Sequence, residues 1–174
     1  MQVLNWQVII EEHGPIVWQT AYRLLGNHAE TADCFQETFL CALDVSQRQR
    51  VRNFPALLVR LATTRAIDRL RERLRRSRHE PGFVERATVR RANPSPDRQA
   101  QLNELATTLR DALAELPSQE AKAFCLRYLN DMSYRQIARE LHIKTNAAGV
   151  LLHRAKAKLR GLLDSLEATD EVVP

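Results

Sequence analysis

The chain has 174 residues, 44% of them hydrophobic and 6% aromatic, and carries a formal net charge of +5. That length and apolar content support one or two compact cores and exclude a disordered chain. Glycine is scarce at 5 residues and no long β-branched alternating run occurs, which excludes a β-rich fold and predicts an all-α chain.

The opening residues "MQVLNWQVIIEEHG" hold no basic stretch followed by an apolar run long enough for export, and no window approaches a membrane span. A cytoplasmic protein without membrane insertion is expected. Apolar spacing then predicts helices over Trp6 to Glu12, Pro15 to Leu25, Ala29 to Leu43, Phe54 to Arg76, Gln101 to Ala114, Ser118 to Leu129, Ser133 to Leu141 and Thr145 to Leu166. Pro15, Pro55 and Pro117 all suit a first helical turn, where a missing N–H costs little. Residues 78–100, with three prolines, several charges and few apolar side chains, read as a flexible linker. Fully extended, it spans about 70 Å at 3.3 Å per residue, about two turns of B-DNA. Two small helical domains, residues 1–77 and 101–166, are thus expected on either side, with a tail at 167–174.

Charge is unevenly spread along the chain. Residues 1–44 hold one basic and six acidic residues, whereas residues 45–100 hold fifteen arginines and five acids. An acidic segment followed by an arginine-rich one suggests two partners rather than a single polyanion. In the helix from Phe54, Arg60, Arg65, Arg69, Arg73 and Arg76 recur at about one helical turn, a stripe suited to a phosphate backbone. The three cysteines, Cys34, Cys41 and Cys125, are too few and too scattered for a disulfide framework or a four-ligand zinc site. No glycine-rich phosphate loop, metal constellation or nucleophile–base pair is visible, so neither an enzyme nor a cofactor is expected.

The stretch "MSYRQIARELHIKTNAAGVLLHRAKAKL", Met132 to Leu159, holds two amphipathic helices parted by about three residues. Ser133 and Gln136 have the spacing of a capping box, and Thr145 or Asn146 is placed to cap the second helix. Ala138 is small where the two helices must approach closely. This is the helix-turn-helix pattern, in which the second helix enters the DNA major groove. A plain helical hairpin would need the same apolar stripe; Arg154, Lys156, Lys158 and Arg160 favour the DNA reading.

Three longer stretches resemble a known family. "NHAETADCFQETFLCAL" (Asn27 to Leu43), with Asp33, Gln36, Glu37 and Phe39, is similar to the acidic helix of bacterial sigma factors. "FPALLVRLATTRAIDRLRERLRR" (Phe54 to Arg76) resembles the helix that follows it, and "LAELPSQEAKAFCLRYLNDMSYRQIARELHI" (Leu113 to Ile143) resembles the start of the C-terminal sigma domain. Their order and spacing resemble the extracytoplasmic-function (ECF) group of the sigma-70 family of RNA polymerase sigma factors. The resemblance implies that Asp33, Gln36 and Glu37 dock on core polymerase, its beta and beta-prime subunits, with Phe35, Phe39, Ala42 and Leu43 turned to the domain's own core. It implies that Asn53, Arg60, Thr63, Thr64, Arg65 and Arg69 meet the minus-ten promoter element, where a base is drawn out of the stack. It implies that Asn146, Gly149, Val150, Leu151, His153, Arg154 and Lys156 meet the minus-thirty-five element, and that an anti-sigma factor restrains the chain.

Departures from the family pattern are also legible. Leu57 stands about where the family often carries an aromatic residue, Thr64 stands where it often has an asparagine, and the recognition helix lacks two expected cations, its slots holding Asn146, Ala147, Ala148, Gly149, Val150 and Leu151. Direct readout is therefore expected to rest on Asn146, His153 and Arg154, with Val150 or Leu151 against thymine methyl groups. The function expected is that of a sigma factor directing core polymerase to promoter DNA. The alternative is a helix-turn-helix regulator that is not a polymerase subunit, which leaves the acidic helix without a use.

Overall fold

The computed structural model describes residues 4–79 and 96–170. Most of the expected linker and the end of the tail lie outside the described residues. Seven helices are present among them: α1 Trp6–Leu25, α2 His28–Arg48, α3 Phe54–His79, α4 Pro96–Glu115, α5 Ser118–Tyr128, α6 Tyr134–Glu140 and α7 Thr145–Asp170. No described helix is long and apolar enough to cross a membrane.

Local signals set most helix ends. Asn5 accepts hydrogen bonds from the backbone N–H groups of Gln7 and Val8, Asn27 from that of Glu30, and Asn53 from that of Ala56, so each caps the start of a helix. The Ser133–Gln136 capping box forms in both directions, at 2.8 and 3.3 Å. Thr145 is already the first residue of α7, so Thr145 and Asn146 belong to its first turn rather than to its cap. The turn before it takes His142 through a left-handed φ of 56°.

Expectations of extent are corrected at α1, α2, α4 and α7, with α2 running on to Arg48 where its end was expected at Leu43. The break expected between Glu12 and Pro15 does not occur, and α1 runs through Pro15. A mid-helix proline removes one backbone hydrogen bond, but Gly14 is buried against the Phe35 ring, and Val17, Thr20, Ala21 and Leu24 bury the turns beyond. That packing keeps the helix continuous across the site where local rules break it. Helix α4 begins at Pro96 rather than Gln101, and α7 reaches Asp170 rather than Leu166.

The two helical units expected on either side of the linker are present, and they pack on each other through α3. Val17, Phe39, Ala42, Leu57, Leu58, Leu61 and Ala62 form a core within α1–α3. A second core, Ala123, Leu126, Met132, Ile137, Ala138, Ala148 and Leu152, belongs to the helix-turn-helix unit but also takes in Ala56 and Val59 of α3. A third joins Ala21, Leu24, Ala66, Ile67 and Leu70 to Leu113, Leu116, Cys125, Ala155 and Leu159. Burial pushes the Cys34 thiol up to about 11 and the Cys125 thiol to about 12, so both are packing groups at neutral pH.

Arginines tie the two units at helix ends. Arg110 Nε donates to Leu24 O (2.9 Å) at the end of α1, Arg23 Nη1 donates to Leu129 O (2.8 Å) just past α5, and Arg71 donates to Leu116 O just past α4. Each cation meets carbonyl groups that the helix leaves unpaired and a partial negative charge. Gly26 closes α1 at φ 65°, and a Cβ there would lie 2.7 Å from Arg110 Nη2, so the glycine is needed both for its backbone and for this contact.

Candidate nucleic-acid interface

Helix α2 buries Thr31, Cys34, Thr38, Phe39 and Ala42, and its opposite face presents Asp33 and Gln36, with Glu37 half-exposed at its edge. The buried threonines satisfy their hydroxyls by donating to the carbonyls one turn back, Thr31 to Asn27 O at 2.6 Å and Thr38 to Cys34 O at 2.7 Å. The side chains of Asp33 and Glu37 are 65% and 46% exposed. Leu40 stands on the same exposed face, one turn beyond Gln36 and Glu37.

The arginines of α3 do not form a free stripe. Arg73 pairs with Glu30, Arg69 Nη2 lies 2.7 Å from Glu37 Oε1 with its Nη1 3.7 Å from Asp33 Oδ2, and Arg65 Nη2 donates to Cys41 Sγ at 2.7 Å. Successive turns of α3 thus meet successive turns of antiparallel α2 as a ladder. Arg60 Nε reaches Glu140 Oε2 of α6 at 3.3 Å, with the two side chains 22% and 13% exposed. The expectation of a phosphate-facing stripe is corrected to this extent: the acids that the sequence offers to a partner are also the groups that hold the arginines.

Two further placements differ from expectation. Thr63 is fully buried, its Oγ1 without a hydrogen-bond partner, so it is not at the surface where it was expected. Leu151 packs against the second core, while Val150 beside it is exposed. Thr64 is half-buried, and Asn53 is exposed with its Oδ1 engaged as the α3 cap. The loop just before it carries Arg50 and Arg52, both exposed and, among the described residues, without an ion-pair partner.

The helix-turn-helix is built as its pattern requires. Ile137 and Ala138 of α6 meet Ala148 and Leu152 of α7, which turns Asn146, Val150, His153 and Arg154 to solvent. Arg135 and Arg139 of α6 and Lys144 in the turn are exposed beside them. A Cβ added at Gly149 would make ordinary contact with the Tyr134 ring at 3.7 Å, and Arg127 lies over the same ring at 5.6 Å. Lys156 lies 5.1 Å over the Tyr128 ring, and Lys158 pairs with buried Glu120 at 2.9 and 3.0 Å. Lys158 is therefore spent on the fold. Tyr128 and Tyr134, both exposed, flank the recognition helix and were not singled out from sequence; the position of Tyr134 directly after the Ser133 cap was the available signal.

Among the described residues, no group of three or more His, Cys, Asp or Glu side chains is arranged to hold a metal ion.

Comparison with known proteins agrees with this division into two units. Residues 9–76 match the family model for sigma-70 region 2, and residues 106–159 match that for sigma-70 region 4. The ECF RNA polymerase sigma factor SigL of Mycobacterium tuberculosis is 30% identical over 169 residues, covering 94% of this chain and 91% of SigL. SigW of Bacillus subtilis, also an ECF RNA polymerase sigma factor, is 26% identical over 91% of this chain and 88% of its own length. SigE of Mycolicibacterium smegmatis is 29% identical over 91% of this chain, which spans 62% of SigE. Among solved structures, the sigma factor RpoE of Bartonella quintana, in complex with the anti-sigma factor NepR, shares the fold at a TM-score of 0.58 and 21% identity, covering 93% of this chain and 98% of that one. CnrH, in complex with the cytosolic domain of CnrY, does so at 0.57 and 23%, covering 92% of this chain and 88% of CnrH. The chain belongs to the ECF group of the sigma-70 family of RNA polymerase sigma factors.

Proposed function

We propose that the chain divides a sigma factor's work among the three surfaces described above. Asp33, Gln36 and Glu37 on α2 dock core polymerase, with its beta and beta-prime subunits as the partner. Asn53 and Thr64, with the Arg50–Arg52 loop, meet the minus-ten element. Asn146, Val150, His153 and Arg154 on α7 meet the minus-thirty-five element. Residues 1–77 and 101–166 are the two working domains, and the chain has no chemistry of its own, because bond formation belongs to the polymerase. It acts in the cytoplasm, where polymerase and promoter are, and an anti-sigma factor is the restraining partner that its structural neighbours suggest.

The observation that carries this reading is the acidic face of α2. It stays solvent-facing opposite a fully used apolar face, in the same chain as an exposed recognition helix. A DNA-binding regulator needs only the second. The test is to mix the purified chain with core polymerase, follow co-elution, and map transcription start sites on genomic fragments. Co-elution and discrete new starts are expected. Asp33→Lys together with Glu37→Lys keeps the helical content and loses both, since charge reversal at an interface costs several kcal/mol. Specific binding to duplex DNA without any association with core would overturn the reading.

A further inference from the structure

Arg69 stands between the two acids of the proposed docking face. Its Nη2 lies 2.7 Å from Glu37 Oε1 and its Nη1 3.7 Å from Asp33 Oδ2. Its own side chain is only 25% exposed, against 65% for Asp33 and 46% for Glu37. The guanidinium therefore approaches the carboxylates from the protein side and leaves their outer oxygens to solvent. The rungs on either side, Glu30–Arg73 and Cys41–Arg65, fix α3 against α2, so the fork cannot swing far.

We propose that Arg69 is a positioning residue for polymerase docking and not a promoter contact. Asp33 and Glu37 lie four residues apart on one helix, where like charges repel and the side chains spread. A planar fork hydrogen-bonded to Glu37 and within 3.7 Å of Asp33 offsets that repulsion, fixing the Glu37 carboxylate and restraining that of Asp33 before the partner arrives. Each immobilised side chain otherwise has to be ordered on binding, a cost that preorganisation removes. The opposing effect is long-range: Arg69 subtracts one unit from the face's negative charge and so weakens its attraction for a basic partner. Salt screens that attraction beyond about 8 Å at physiological strength, whereas the ordering cost is local and unscreened. Positioning wins.

The two effects leave separate kinetic traces. Arg69→Gln is expected to lower affinity for core about tenfold. The loss falls in the dissociation rate, while association at low salt is unchanged or faster because the face has become more negative. Arg69→Lys restores the charge but offers a single point contact, and falls between the parent and the glutamine variant. A role confined to folding would shift the melting curve and the active fraction without moving the dissociation rate. A promoter contact would leave core affinity intact and, in holoenzyme assembled at saturating chain concentration, shrink the salt slope of promoter binding by about one unit.

The inference rests on the docking role of α2, which Gln36→Lys tests separately, because Gln36 is exposed and stands outside the ladder. The experiment is surface-immobilised core polymerase titrated with the full chain and its three variants, read as association and dissociation rates. Weakened binding by Gln36→Lys and faster dissociation of Arg69→Gln support the proposal. If Gln36→Lys weakens binding and Arg69→Gln does not, positioning by Arg69 is overturned alone. If Gln36→Lys binds as the parent does, the docking face is wrong and the proposal falls with it.

Discussion

The α2–α3 seam and the α6–α7 hairpin are both rich in cations, and the fold treats them in opposite ways. Along the seam, Arg65, Arg69 and Arg73 each meet a group on α2, and Arg60 meets Glu140. On the hairpin, Arg135, Arg139, Lys144 and Arg154 are exposed and make no ion pair among the described residues. An arginine-rich stretch of sequence is therefore not yet a nucleic-acid surface. What decides is whether a neighbouring helix brings carboxylates into register, since a paired guanidinium offers less to phosphate than a solvated one. By this measure the hairpin and the Arg50–Arg52 loop carry the unpaired cations that the proposed function assigns to DNA, and the seam holds the face it assigns to polymerase.

The comparison breaks most severely if the hairpin's own support fails. Ile137 is fully buried between α6, α7 and α3, so Ile137→Ala is expected to cost about 2–5 kcal/mol. Urea unfolding should show the midpoint fall, and promoter binding at the upstream element should be lost with it. A smaller change tests the point where the two regions meet. Arg60 and Glu140 are mostly buried but not dry, and Glu140→Gln is expected to cost about 1–2 kcal/mol, between an exposed pair and a buried one. Exchanging the charges, Arg60→Glu with Glu140→Arg, should recover much of that loss. A double-mutant cycle that gives no coupling would show that the apolar contacts of Ala56 and Val59 hold the two units together without the ion pair.

The helical class, the capping box and the hairpin core were legible in the sequence because each is set by residues within one or two turns; the eight expected helices became seven because α1 is continuous. Ser133 and Gln136 close their own box, and Ile137, Ala138, Ala148 and Leu152 need only the helical repeat to meet. What sequence reading missed depends on residues far apart in the chain. Gly14–Pro15 breaks a helix by local rules, yet burial against Phe35 carries α1 through it. The Arg stripe of α3 was read correctly as a stripe, but its partners Glu30, Asp33 and Glu37 sit some thirty to forty residues earlier. Lys158 looked available for a phosphate until Glu120, buried on α5, claimed it. Thr63 and Leu151 were placed at the surface by position in a motif, and the packing of α3 and α7 turns them inward.

The central claim, that the cations meeting the promoter lie on the hairpin and the Arg50–Arg52 loop and not on the α3 stripe, is tested most directly by one binding measurement. Holoenzyme carrying Arg154→Ala or Arg73→Gln is titrated on a mapped promoter and on the same fragment with its upstream element scrambled, across a range of salt. Arg154→Ala should cost about 1–3 kcal/mol on the mapped promoter and little on the scrambled one, the mark of a base-edge contact. Arg73→Gln should leave both affinities and the salt slope where they were, because Glu30 already holds that guanidinium. A salt slope reduced by about one unit in Arg73→Gln, with Arg154→Ala indistinguishable from the parent, would contradict the account.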